Sequence, residues 1–360
     1  MKDLSSVTTK LICGLDLGDK TSQICLCTPQ GDILEQAKVA TSGAALARRF
    51  QDRKPMRIAL ETGTHSPWVS RLLKQWGHEV IVANPRKVHL IGHSRRKNDR
   101  IDALSLADLA SVRPRLLYPI EHISAQAQAD RAVLLARDNL VRARSGLINQ
   151  ARGAVKTQGG RLPASSAEAF ARKARPAVPE ALVSALVPLL ELIEQMSTTI
   201  HAYDHQIKIL LRTRYPQAQK LRQQIRGVGP ITALAYVLSL GDPHRFRKSR
   251  QVGAFYGLVP GLRDSSQSTP QLPISHEGNP FVRRLLVQCA QYILGPFGED
   301  SDLRRFGQRL TTGGGKASKK KAVVAVARKL GVLMHRLLVT DQPYQPLRQE
   351  SGKSVQQRAA

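Results

Sequence analysis

Apolar and polar positions alternate in short runs through the first third of the chain. Leu11 to Leu17, Ser22 to Cys27 and Ile33 to Ala40 read as strands, separated by turn signals at Gly18-Asp19-Lys20 and Pro29-Gln30-Gly31-Asp32. Three consecutive strands predict a meander. Helical spacing follows from Gly43, Arg57 to Glu61 makes another strand, and Val69, Leu72, Leu73 and Trp76 then share one helical face. With a further strand at Glu79 to Ala83, the alternation from about 11 to 118 predicts a mixed α/β sheet with helices packed on it. Lys97 to Ala107 reads as a helix start, and its Asp99 and Asp102, three residues apart, fall on one face.

The pattern then becomes helical. From Ala125 to Val155 apolar residues recur at Val133, Ala136, Leu140, Ala143, Leu147, Ala151 and Ala154, and between them stand Arg131, Arg137, Arg142, Arg144 and Arg152. This predicts a long amphipathic basic helix, whose charged side is either a solvated face or a nucleic-acid contact. Residues 157–180 carry Gly159-Gly160, Pro163, Ser165-Ser166, Pro176 and Pro179, the composition of a loop or mobile linker. Leu182, Leu186, Leu189, Ile193, Met196, Ile200, Tyr203, Ile207 and Leu210 then alternate steps of four and three, a heptad seam that needs a facing helix. Either the basic helix folds back on it as an antiparallel hairpin or a second protomer supplies the partner. A second globular unit begins near Gln219 and ends in a helix with Val323, Val326, Leu330, Leu333 and Leu337 on one face; the tail from Pro343 is polar and reads as disordered. The expected organisation is therefore an α/β domain over 8–120, a helical region over 121–215 with its linker at 157–180, a mainly helical domain over 219–340 and a tail over 343–360.

Charge changes this picture from fold to partner. Lys and Arg number 55 against 27 Asp and Glu, and a net charge of +28 repels itself unless a polyanion balances it, which points to nucleic acid. No apolar run of spanning length and no lipidation signal stands out, so a membrane partner is not expected. The start, Met1-Lys2-Asp3-Leu4-Ser5-Ser6, lacks the apolar core of a signal peptide and predicts a cytoplasmic, nucleoid-associated protein. Cys13, Cys25, Cys27 and Cys289 show neither zinc-ligand spacing nor a disulfide framework and read as core residues. Aromatic residues make up only 4%, too few to read single strands mainly by stacking, so phosphate contacts should dominate.

Four carboxylates sit at the ends of apolar elements: Asp16 on the first strand, Glu61 in Leu60-Glu61-Thr62-Gly63, and Asp99 with Asp102. An ionised Asp in an apolar strand is costly unless a cation or donor network meets it, and several carboxylates converging from different elements suit divalent ions that activate a phosphodiester. The plain alternatives are a turn cap at Glu61 and helix-start carboxylates favoured by the dipole at Asp99 and Asp102. In Gln224-Ile225-Arg226-Gly227-Val228-Gly229-Pro230, Gly227 and Gly229 let backbone N–H groups approach a phosphate at a helix N-terminus, as in the helix-hairpin-helix signature of non-specific DNA binding; a plain tight turn is the alternative. Arg263, Arg283 and Arg284 flank a serine-rich loop and could clamp a phosphate or face solvent. Gly313-Gly314-Gly315-Lys316-Ala317 is not a P-loop, since Ala317 stands where the metal-binding hydroxyl would be; with Lys319, Lys320 and Lys321 it reads as a flexible basic loop for phosphates.

In this order the motifs resemble the DEDD transposases of bacterial insertion sequences, the one-ten family, which includes pilin-gene inverting recombinases and RNA-guided bridge recombinases. Gly14-Leu15-Asp16-Leu17-Gly18, Leu60-Glu61-Thr62-Gly63 and Lys97-Asn98-Asp99-Arg100-Ile101-Asp102-Ala103 look like the family's metal motifs; Gly227-Val228-Gly229, Gly257-Leu258-Val259-Pro260 and Gly278-Asn279 look like its C-terminal ones. The resemblance implies a RuvC-like, ribonuclease-H-type sheet domain, a coiled-coil linker and a C-terminal transposase domain with a nucleophilic serine. It assigns magnesium, with manganese as the alternative, to the four acids. It assigns the attack on DNA to Ser265 through a phosphoserine link, and guidance to a non-coding RNA. It further implies a site completed between protomers of a dimer or tetramer joined through the 182–210 helix. The chain departs from the family pattern where Ser266 replaces the Gly after the serine and His276 replaces a Lys, which makes Ser266 a rival nucleophile. A metal-dependent nuclease or junction resolvase using water, and a non-catalytic nucleic-acid-binding protein, are the competing readings.

Overall fold

Strand β1 (Ile12–Asp16) is the centre of a five-stranded sheet ordered β3-β2-β1-β4-β5, with β2 at Thr21–Cys27, β3 at Ile33–Ala40, β4 at Arg57–Glu61 and β5 at Glu79–Ala83. The computed structural model describes residues 10–85, 99–261, 263, 270 and 272–347, and the chain divides into two units, Met1–Ala125 and Gln126–Ala360. Tight turns make the β1–β2 and β2–β3 pairs antiparallel, while the return through α1 (Gly43–Phe50) lays β4 parallel to β1. Ser42 caps α1 by accepting from the Ala45 N–H at 3.3 Å. Helix α2 (Ser66–Gln75) then carries the chain to β5, parallel to β4. The expected strands and the mixed α/β class both match, and such a sheet with helices fits the ribonuclease-H-like fold of a DEDD domain.

Period-two alternation sorts the sheet into two cores. Cys13, Leu15, Ile58 and Leu60 pack with Leu46, Phe50, Val69 and Leu73 of α1 and α2. On the opposite face Ile12, Ala59 and Ile81 pack with Ala103, Leu106, Ala107 and Ala110 of α3 (Asp99–Val112).

In the second unit α4 (Ala125–Thr157) and α6 (Val183–Thr213) run antiparallel. Arg137 meets Asp204 at 2.9 Å, Arg144 meets Ser197 at 3.0 Å, and Ile148, Ala151 and Val155 share a core with Leu186, Leu190 and Ile193. The heptad seam therefore has a partner within its own chain. On α4 the buried face is turned by about one residue from the expected stripe. Leu134, Ile148 and Val155 go in and take Arg144 with them, whereas Ala143 is exposed. Alanines carried much of that expected stripe, and they contribute little burial energy with which to fix a helix's rotation.

The segment 157–180 differs from its composition. Gly159, in the left-handed region at φ 78°, ends α4, and the chain then forms α5 (Phe170–Ala174), whose Phe170, Ala171 and Ala174 are buried between the two long helices. This part of the segment is packed against the hairpin. Glu180–Thr213 is also long and apolar enough, at mean hydropathy 1.3, to pass as a membrane span by length and composition, contrary to expectation; here one face of it is buried against α4 and α5.

At the base of the hairpin, buried Asp130 accepts from Arg214 (2.7 Å), Tyr215 (2.8 Å) and Gln126 (3.1 Å), tying the start of α4 to the end of α6. Leu134, Ile207, Leu210 and Leu211 join the core of the remaining helices: α7 (Pro216–Gln224), α8 (Pro230–Leu240), α9 (Gln251–Phe255), α10 (Pro280–Leu294), α11 (Asp302–Arg309) and α12 (Gly315–Thr340). Tyr236 lies inside this core and donates its hydroxyl to the Gly331 carbonyl at 2.6 Å.

Candidate active site

Asp16 and Glu61 are the last residues of adjacent parallel strands. The ladder runs from Ile12 opposite Arg57 to Leu15 opposite Leu60, so the next residues, the two acids, end side by side at the C-terminal end of these central strands. By alternation they face α3, as Ile12 and Ala59 do.

Two contacts bring the acids of α3 to the same end of the sheet. At its far end, buried Arg57 donates to the Ala110 carbonyl at 3.1 Å and to Glu79 at 2.8 Å, pinning the last turns of α3 to the start of β4. In the middle, α3 rests on Gly14, where a Cβ would lie 1.8 Å from the Ala103 carbonyl oxygen. Only glycine permits so close an approach, and the small residues Ala103, Ala107 and Ala110 on α3 complete it. The helix therefore runs back along β1 and β4, and its first turn, with exposed Asp99 and half-buried Asp102, reaches their C-terminal ends. Neither Gly14 as a seat nor Arg57 as a pin stood out in the sequence.

The electrostatics agree with this geometry. The Asp16 carboxyl is pushed up from its usual 3.8 to about 6, first by burial and then by the negative charges of Asp102, Asp99 and Glu61. Among the described residues no three His, Cys, Asp or Glu side chains stand close enough to form a ready metal cage. The four acids nevertheless fit a divalent cation chemically: they are hard oxygen donors whose mutual repulsion such a cation would relieve. The dipole at the start of α3 also favours Asp99 and Asp102, and the two roles are compatible.

The loops leaving this end are fastened. Thr62 donates its N–H (3.1 Å) and hydroxyl (2.8 Å) to the Ala83 carbonyl, and Ser66 Oγ accepts from the Gly63 N–H at 3.0 Å. His65, which the motif reading overlooked, links to Asp19 of the β1–β2 turn at 3.3 Å and accepts from the Trp68 indole at 3.1 Å.

In the second unit Ser265 and Ser266 lie outside the described residues, but the backbone that brackets them is described. Gly257 (φ 64°) and Gly278 (φ 76°) pack against opposing backbone, where Cβ atoms would lie 2.2 Å from the Glu277 oxygen and 1.9 Å from the Phe255 oxygen. Ser275 N–H donates to Val259 at 2.8 Å and Gly261 N–H to Pro273 at 2.8 Å, so the two motifs form one ladder. Arg283 donates to the carbonyls of Glu277 (2.8 Å) and Tyr256 (3.1 Å), and Asn279 caps α10 through the Phe281 and Val282 N–H groups. Arg283 thus braces this bracket. His276 adopts φ 55°, a left-handed conformation uncommon for a side-chain-bearing residue.

The expected phosphate contacts separate into groups. Arg144 is buried and bonded to Ser197 and Glu168, each at 3.0 Å, so its assignment to nucleic acid is corrected: it packs the hairpin. Arg131 is half-buried, Arg142 is exposed and pairs with Asp138 at 3.2 Å, Arg152 lies over the Phe170 ring at 5.2 Å, and Arg284 pairs with Asp138. Arg263 is exposed. Gly227 takes φ 92° against Tyr292, and Gly229 precedes α8, so a glycine turn joins α7 and α8 as a helix–turn–helix pair. Lys316, Lys319, Lys320 and Lys321 are exposed in the first turns of α12, a correction to the expected loop.

Known families share both halves of this arrangement. A DEDD transposase model of IS110 type, described as a transposase, matches residues 13–158, and the model of the transposase IS116/IS110/IS902 family matches residues 219–301. The chain belongs to this family of insertion-sequence transposases and is a DNA transposase. It is 31% identical over 283 residues to the transposase for insertion sequence element IS1328 of Yersinia enterocolitica, covering 77% of this chain and 82% of that one. The transposase for IS1111A of Coxiella burnetii is 27% identical over 96% of this chain and 92% of its own length. A probable family 20 transposase of Pseudomonas aeruginosa is 29% identical over 82% and 88%.

Proposed function

We propose that this transposase cuts and rejoins DNA through a serine–DNA intermediate, with a divalent metal held by Asp16, Glu61, Asp99 and Asp102. The observation that supports the reading is that Asp16 and Glu61 end adjacent strands, with the Asp16 carboxyl pushed up to about 6 by burial and then by the charges of Asp102, Asp99 and Glu61. Magnesium, or manganese in its place, would supply charge neutralisation at a phosphodiester. The chain's own residues do the positioning: Gly14 and Arg57 set α3, and the Thr62 and Ser66 bonds fix the loop after Glu61.

The nucleophile is Ser265, with Ser266 as rival. Its oxygen bonds to phosphorus, a DNA hydroxyl leaves, and the serine proton passes to a base, so the phosphodiester energy is kept in the phosphoserine until another strand's hydroxyl reverses the step. The paired Gly257 and Gly278 segments fix the backbone on either side of the two serines in sequence, which favours a defined position for them. The four lysines opening α12 oppose its dipole, an arrangement that a phosphate would relieve, and with Arg263 and Arg142 they are the proposed DNA contacts. Guidance by a non-coding RNA of the element and assembly into a dimer or tetramer complete the proposal; they rest on the family resemblance.

The test incubates the protein with magnesium, element-end DNA and its RNA, followed by a denaturing gel. A covalent protein–DNA adduct is expected in the wild type and lost in Ser265→Ala. An adduct retained in Ser265→Ala but lost in Ser266→Ala moves the role to Ser266, and cleavage without adduct in both variants refutes the serine route.

A further inference from the structure

Two cavities of about 480 and 180 Å³ meet at Lys208 and Pro230, where the second half of α6 passes the start of α8. Arg137, His201, His205 and Lys208 line the larger one; Lys208, Arg212 and Arg222 line the smaller. His201, His205, Lys208 and Arg212 follow at steps of four, three and four, so they form one exposed row along α6. Among the described residues Asp204 is the one acid lining either cavity, and Arg137 already holds its carboxylate at 2.9 Å.

The carbonyl end of α6 by itself would favour Lys208 and Arg212. It does not account for the convergence on them of Arg222 from α7 and of Pro230 and Ile231, which open the eleven-residue α8 and bring its positive dipole end to the same groove. No Phe, Tyr or Trp side chain lines either cavity among the described residues, and the lining cations favour phosphates over stacked bases.

We infer that this groove, formed by the His201-His205-Lys208-Arg212 row, Arg222 and the start of α8, binds the phosphodiester backbone of a nucleic acid. The inference rests on the reading of the chain as a DNA-binding transposase and adds a specific surface to it.

The test is fluorescence anisotropy of the full chain on a random-sequence DNA duplex and, separately, on an RNA hairpin, each across a salt series. Replacing Lys208, Arg212 and Arg222 together by Gln should weaken binding at moderate salt by on the order of tenfold or more and flatten the log–log salt slope by about two to three, one counterion set per lost phosphate contact. A charge-matched control, Lys38→Gln with Arg48→Gln and Lys54→Gln, should leave the slope near the wild-type value. A loss confined to DNA or to RNA supports the groove and identifies its ligand. An unchanged slope on both, or an equal loss in the control, overturns the inference. Failure of the wild type to bind either probe would instead refute the underlying reading. All three replaced side chains are exposed, so the variant should melt as the wild type does.

Discussion

Replacing Asp16 by Asn should stabilise the metal-free protein while abolishing strand cleavage. A carboxyl raised from 3.8 to about 6 is a charge the folded state disfavours; at full burial that difference amounts to about 3 kcal/mol. Asp16 is only half-buried, so solvent screening reduces the figure to about 1–2 kcal/mol. The sign follows from proton binding: between 3.8 and about 6 the folded state holds the Asp16 proton more tightly than the unfolded chain. Stability should therefore fall as pH rises through that window and stay lower above it.

Asn keeps the shape and removes the charge. The variant should gain about 1–2 kcal/mol at neutral pH and lose that part of the pH dependence. Both tryptophans, Trp68 and Trp76, belong to the first unit, so their fluorescence in a urea titration without divalent ions follows the relevant fold. A variant less stable than wild type at neutral pH, or an unchanged decline across the window, would refute the claim that four acids repel one another at this end of the sheet.

Other expectations concern packing. Gly14→Ala puts a methyl group 1.8 Å from the Ala103 carbonyl, so α3 must lift; we expect a loss of about 1–3 kcal/mol and reduced cleavage, and a stability change under about 0.5 kcal/mol in the same fluorescence assay would contradict the seat. Arg144→Ala should cost about 2–4 kcal/mol by emptying the hairpin core, whereas Arg144→Met, which fills the space without a charge, should be nearly neutral in chemical denaturation followed by circular dichroism; equal losses would argue against a packing role. Asp130→Ala removes the acceptor that Arg214 and Tyr215 share and, with Arg214 half in solvent, should cost about 1–3 kcal/mol in the second unit, read by the same method, with a loss under about 0.5 kcal/mol counting against the clasp.

The strands were legible because alternation and turn residues act locally: Arg57–Glu61 and Glu79–Ala83 match the expected bounds residue for residue. The acids were legible because an Asp or Glu closing an apolar run is conspicuous. What brings them together was not, since Gly14 and Arg57 act through a helix more than forty residues away along the chain. The rotation of α4 escaped for a related reason: Arg144 is buried because Ser197 and Glu168 receive it, a tertiary fact absent from the periodicity of α4 alone. Phe170, in a stretch rich in Gly, Pro and Ser, shows how one large apolar residue can fasten a segment whose composition reads as a linker. The row His201, His205, Lys208 and Arg212 had a helical signal in plain view, masked by the stronger apolar seam on the same helix.

The most direct measurement is the melting temperature of the first unit, read by tryptophan fluorescence at neutral pH across a magnesium titration, in the wild type and in Asp16→Asn with Asp102→Asn. A divalent ion that relieves the repulsion at Asp16 should raise the wild-type melting temperature in a saturable way and leave the double variant unmoved. An equal rise in both proteins, or none in either, would contradict the assignment of Asp16, Glu61, Asp99 and Asp102 as the metal-holding acids.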